Sequence, residues 1–169
     1  MRYLTVYVLL FALILTGCSS KKQQPTLSYE ERTDLYETAI EAARDEQTNE
    51  AFPLITEADS DNAEMVFDLL GVTPEDMNAY AISVSLMNVK AYAIAATYPA
   101  AGKEDAVLES LRIFVSNQQR SFKEYLADQY EIAVNTRLET LEDGTVLLVM
   151  SENQDAVFDS IRDVIERGK

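Results

Sequence analysis

Histidine and tryptophan are absent from this 169-residue chain, and cysteine occurs once, at Cys18. Each absence removes chemistry. Without histidine, Ser-His-Asp and Cys-His catalysis has no general base. Zinc sites need histidine or cysteine ligands in nearly all cases, and haem and iron–sulfur clusters lose their usual partners. A single cysteine closes no disulfide within the chain, so the core must hold itself together. Without tryptophan, a sugar-binding groove lacks its best stacking surface. Positive charge is also scarce: 14 Lys and Arg stand against 29 Asp and Glu, a formal charge of −15. Such a chain repels phosphate backbones, which excludes nucleic acid as a partner. The acidity is uneven. Residues 30–76 hold 15 acids and two bases, whereas residues 77–169 hold 14 acids and nine bases.

The longest greasy run, residues 6–15, "VYVLLFALIL", follows Arg2 and precedes small polar residues. That is the layout of a secretory signal, and it falls short of the ~20 residues of a spanning helix. Leu15-Thr16-Gly17-Cys18, directly after it, resembles the lipobox of bacterial lipoproteins. The resemblance implies a cut before Cys18, residues 1–17 being a removed signal peptide and Cys18 the lipidation site. Two acyl chains there would make a stable membrane anchor. Residues 18–27 then read as lipidated cysteine and polar tether, in which Lys21 and Lys22 either touch anionic head groups or are simply solvated. Residues 28–169 remain as a single domain, long enough for a core.

Within it, residues 28–76 form an acidic helical part. Ser28 with Glu31 three residues on is a capping box, and helical spacing extends over 28–47. Asp61 is the expected cap of a second helix that stops at Gly71, and Thr73-Pro74 starts a further turn. From Ala79 the period changes to two. "AYAISVSL" and "VKAYAIAATY" read as a hairpin, 103–126 as a long helix and "YEIAVNTRLETL" as a third strand. Asp143-Gly144 turns into a fourth, "TVLLVM", and 152–167 closes as a helix. "DAVLESLR" at 105–112 matches "DAVFDSIR" at 155–162, an offset of 50, and at the same offset Tyr80, Ile82 and Val84 meet Tyr130, Ile132 and Val134. The expectation is therefore an α+β fold: N-terminal helices, then a duplicated ββα-ββα core over 77–169. Its four-stranded antiparallel sheet joins through the first strand of each unit and carries both long helices on one face. Val107 and Val157 should be equivalent core residues.

"MVFDLLGVTPEDMNAYAISVS", "NQQRSFKEY" and "GTVLLVMSE" resemble a family of Gram-positive surface lipoproteins that carry a C-terminal domain of unknown function. The resemblance runs from about Phe52 to Lys169. It implies a lipid-anchored domain on the extracytoplasmic face of the cell membrane and transfers no catalytic or binding residue.

Little else points to chemistry. "DSDNAE" at 59–64 starts like a calcium loop with Asp59 and Asp61, but Ala63 and Glu64 stand where a ligand and glycine are needed. With 29 acids, a carboxylate pair for glycoside hydrolysis means little. Lys90 is the one base positioned by the hairpin to face Ser83 or Ser85. Tyr80, Tyr92, Tyr98, Tyr125 and Tyr130 fit core and rim positions, or a tyrosine-lined groove. No cofactor, metal or catalytic residue is expected. The function expected is that of a non-catalytic envelope module binding an unidentified envelope protein or small ligand; the alternative is an envelope hydrolase using carboxylates or a serine.

Overall fold

The Ser28 amide donates to Glu31 Oε2 at 2.8 Å and the Glu31 amide to Ser28 Oγ at 3.2 Å, so the expected capping box opens the first helix in the computed structural model, which describes residues 27–168. The signal run and Cys18 lie outside the described residues. That first helix, α1 (Tyr29–Ala42), is shorter than the periodicity suggested. Asp45 accepts the Thr48 amide at 2.7 Å and starts a separate helix, α2 (Glu46–Ala51). A side-chain cap offers the backbone a local alternative to continuing the turn. The expected Asp61 cap is corrected: α3 (Ala63–Leu70) begins at Asn62, which is left-handed and makes no side-chain cap bond. Asparagine tolerates that backbone better than most residues. Gly71 stops α3 as expected, with φ +70°. A single 3₁₀ turn, Pro74–Asp76, leads into the sheet.

The strands are β1 (Met77–Val84), β2 (Ala93–Pro99), β3 (Arg137–Thr140) and β4 (Val146–Met150), all antiparallel, in the order β1-β2-β4-β3. Helices α4 (Glu104–Phe122), α5 (Ala127–Val134) and α6 (Gln154–Arg167) complete the chain. The class is the expected one. Four details differ.

First, residues 130–134 are helix, not strand. Their two-residue alternation is too short to exclude a helix, and tertiary bonds decide. Gln129 Oε1 accepts the Ala91 amide at 2.8 Å, Gln119 Nε2 donates to the Ala133 carbonyl at 3.1 Å and Thr136 Oγ1 donates to the same carbonyl at 2.8 Å. Second, the sheet joins through the second strands, β2 and β4, rather than near Ile82 and Ile132.

Third, the helices cover both faces. Tyr80, Ile82, Val84, Ala93, Ala95, Leu148 and Met150 pack with Val107, Leu111 and Phe114 of α4, with α3 and with α5. The alternate residues Ala79, Ala81, Ile94, Ala96, Leu147 and Val149 pack with Tyr36 and Ile40 of α1 and with Phe158, Ile161 and Ile165 of α6. All five β4 residues are buried, and a strand apolar on both parities needs a layer on each side. Fourth, the repeat is not carried into three dimensions. A duplicated unit would bring α4 and α6 to one face, and they lie on opposite ones. Val107 is buried in its core whereas Val157 is half-buried at the rim. What the two helices share is apolar spacing and a solvent-side pair at i,i+3, Glu109–Arg112 and Asp159–Arg162.

Candidate functional site

Only two bases occur among the acids of residues 30–76, and both guanidiniums reach inward. Arg32, on the first turns of α1, pairs with Asp143 of the β3–β4 turn at 2.5 Å, both side chains under a tenth exposed. Asp143 also accepts the Thr145 amide and hydroxyl, each at 3.0 Å, and Tyr36 OH meets Thr145 Oγ1 at 2.6 Å. The Arg32 guanidinium lies 4.1 Å from the centre of the Tyr98 ring. Burial works to raise the Asp143 carboxyl, but the Thr145 amide and Arg32 together outweigh it and hold it below its ordinary value. Burial also pushes the Tyr36 hydroxyl up to about 12. The network is internally neutralised, and its geometry ties α1 to the sheet.

Arg44 is held differently. It sits in the elbow between α1 and α2, over the end of the sheet where β1 stops and β2 begins. Its Nε donates to Asn49 Oδ1 at 2.8 Å. Its Nη1 reaches the Phe52 carbonyl at 3.0 Å, Ser83 Oγ at 2.9 Å and Tyr92 OH at 3.0 Å. Ser83 Oγ in turn donates to the Phe52 carbonyl at 2.7 Å, and the Phe52 and Tyr92 rings stack at 4.2 Å. Every acceptor is neutral. Among the described residues no carboxylate lies within 4.0 Å of this guanidinium.

A cleft of about 330 Å³ opens beside it. Arg44, Asp45, Thr48, Lys90, Ser151, Glu152 and Asn153 give it a polar wall, two cations and two carboxylates among them; Phe52, Tyr92, Ile94 and Val157 give it an apolar one. Lys90 reaches across to Glu152 at 3.1 Å. Asn153 stands at the start of α6 without a side-chain cap bond. The arrangement can hold a small molecule, with fixed donors on one side and aromatic carbon on the other.

The residues singled out from the sequence are dispersed. Ser83 is fully buried and engaged with Phe52 and Arg44, Ser85 Oγ accepts the Met87 amide at 3.2 Å, and Lys90 pairs with Glu152. No Ser-Lys pair forms among them. Asp59 and Asp61 are not brought together with a third potential metal ligand; among the described residues no group of three or more Asp, Glu, His or Cys side chains is placed to hold a metal ion. Tyr80 meets Phe67 edge-on at 5.5 Å, Tyr98 lies under Arg32, Tyr130 packs against the α4 side of the core, and Tyr125 is 87% exposed. Of the five, Tyr92 alone reaches the cleft. Arg44 was missed. The scarcity of bases in the acidic stretch was the signal that could have found it.

Among the described residues no helix is long and apolar enough to cross a membrane. Neither the curated proteins nor the solved structures contain a match to this chain. The family model described as "Domain of unknown function (DUF4358)" matches residues 54–151. That stretch holds all four strands with α3, α4 and α5, together with Lys90, Tyr92 and Ser151 of the cleft and the Arg44 partner Ser83; α1, Arg44 and α6 lie outside it. With more than half of its residues matched, the chain belongs to the DUF4358 family.

Proposed function

We propose that this protein is a lipid-anchored module of the extracytoplasmic cell envelope in Gram-positive bacteria, and that it binds a ligand there without transforming it. The lipobox-like Leu15-Thr16-Gly17-Cys18 at the end of an apolar run supports the anchor. The cleft at the α1–α2 elbow supports binding, and one observation carries that reading: a guanidinium held by neutral groups, opening on a space of ligand size. Fixed donors beside an apolar wall suit recognition. The serine nearest the guanidinium is engaged with a backbone carbonyl rather than with a base, which disfavours a hydrolase built on Ser83.

The position of the cleft fits such a role. Leu27 lies beside Tyr98, at the end of the sheet where the β3–β4 turn sits. The cleft is at the other end, separated by the 14 residues of α1, about 21 Å of helix. A module tethered through residues 18–27 can therefore present its cleft away from the anchor. Cys18→Ser tests the anchor. The variant should leave the membrane fraction and lose incorporation of labelled fatty acid. Retention in the membrane with unchanged labelling refutes it.

A further inference from the structure

We infer that the elbow cleft binds a small soluble organic anion, a carboxylate or phosphate monoester with an apolar body, with Arg44 as the anion-holding residue. The inference rests on the binding reading above and specifies its ligand.

The argument starts from hydrogen-bond capacity. A guanidinium carries five N–H groups in a fixed fork. Nε uses its one on Asn49, and Nη1 spreads its two over three acceptors. Nη2 has no partner among the described residues. Arg32 Nε is the one buried, unpartnered side-chain nitrogen or oxygen among them, so Nη2 of Arg44 is solvent-accessible, on a residue that lines the cleft. The group is thereby preorganised: Nε and Nη1 are clamped by α2, its Phe52 cap, β1 and Tyr92 just before β2, and Nη2 keeps its two N–H donors for whatever enters. The clamp is built from an amide oxygen, a carbonyl and two hydroxyls, so it positions the charge without neutralising it. An arginine intended only to tie elements together has a ready alternative in this acidic chain. Arg32 shows it by pairing with Asp143.

The surroundings favour an anion with an apolar body. Lys90 lines the same cleft, and its ammonium is shared with Glu152, an exposed carboxylate that an incoming anion can displace. Asn153 and Val157 place the first turn of α6 on the wall, with its uncapped amide end and positive dipole. Two carboxylates line the cleft as well: Glu152 is paired with Lys90, and Asp45 caps the Thr48 amide at 2.7 Å and keeps its charge, so among the described residues Arg44 is the lining cation that no carboxylate pairs. Opposite these groups lie the stacked Phe52–Tyr92 pair, Ile94 and Val157. Charge-assisted bonds would fix the head of the ligand, and the aromatic wall would take its body. The cleft lies at the end of the sheet away from Leu27, where it can face solution, and this suits a dissolved ligand.

The test uses the full chain purified in detergent, isotopically labelled, and titrated at constant ionic strength with phenyl phosphate and with 3-phenylpropionate. At least one of the two should shift the Arg44 Nε–H resonance and the Thr48 and Asn153 amides saturably. Arg44→Lys should weaken that binding about tenfold or more, since it loses the clamped fork. Glu152→Gln should tighten it, roughly two- to fivefold, by releasing Lys90 and removing a like charge. A gain of affinity cannot arise from loss of structure, so the second variant keeps the test decisive even where the first unfolds. The inference is overturned if neither compound shifts Arg44 saturably, or if Glu152→Gln weakens binding. Shifts produced by phosphatidylglycerol vesicles and by neither soluble compound also overturn it, in favour of a lipid. Release of phenol would refute the non-catalytic reading while leaving the anion site in place, so the two claims fail separately.

Discussion

Removing the Asp143 carboxylate probes how α1 is attached to the sheet. In Asp143→Ala the Arg32 guanidinium keeps its position and loses its counter-charge, while the Thr145 amide and hydroxyl lose their acceptor. Arg32 and Asp143 are 7% and 9% exposed, so water cannot replace the missing partner without opening the interface. Breaking a buried pair from one side costs about 3–5 kcal/mol. For a domain of this size that corresponds to a fall in melting temperature of roughly 6–20 °C. Urea and thermal unfolding followed by far-UV circular dichroism would measure it. The pH dependence supplies a second, sharper reading. The Asp143 carboxyl is held below its ordinary 3.8 in the folded protein. Its contribution is therefore complete above that value and is lost as pH falls through the lower folded value. The gap between wild type and Asp143→Ala should stay constant from neutral pH down to about 5 and narrow below 4. A loss under about 1 kcal/mol at pH 7, the range of exposed pairs, would refute the view that this pair is structurally buried.

Three further outcomes follow from the packing. Val107→Asp should abolish the cooperative melt because it places an unpaired charge in the α4 core, whereas Val157→Asp, half-buried at the cleft rim, should leave a folded protein by circular dichroism. Tyr36, raised to about 12, favours its neutral form when folded. That stability is present below pH 10 and lost as pH rises towards 12, so alkaline titration should unfold wild type earlier than its bulk tyrosines suggest, and Tyr36→Phe should remove that component. Gly144→Ala should cost about 1–2 kcal/mol in urea unfolding, because φ is +90° there and the new Cβ would meet Tyr98 at 3.4 Å.

Much of the local structure was legible because it is written in adjacent residues. The Ser28–Glu31 box, the Gly71 stop, the Asp143-Gly144 turn and the apolar stripes of α4 and α6 depend on neighbours within a few positions. What failed depends on distance. Residues 130–134 alternate like a strand, but become helical because Gln129 and Gln119 find partners on other elements. The two-sided sheet was visible in "VLLVM", which has no polar face, yet the matching helix octets suggested a single face. Arg44 could not be recognised as a site residue from its own surroundings. Its clamp is set by partners up to 48 positions away.

The sealing of one sheet face by α1 and α6 also constrains how the chain is made. These helices come from opposite ends of the described chain, and neither belongs to the stretch 54–151 that defines the family. When the chain becomes free to fold from its N-terminal side, α1 precedes the sheet and Arg32 must wait for a partner 111 residues later. Phe158, Ile161 and Ile165, which complete the same face, come later still. Until α6 arrives, Leu147 and Val149 of β4 lack its cover, and a chain with bare strand surface is prone to wrong association. Closing this layer demands contacts of high sequence separation, which slows folding. Helix α6 thus acts as the latch on a face that α1 alone leaves open.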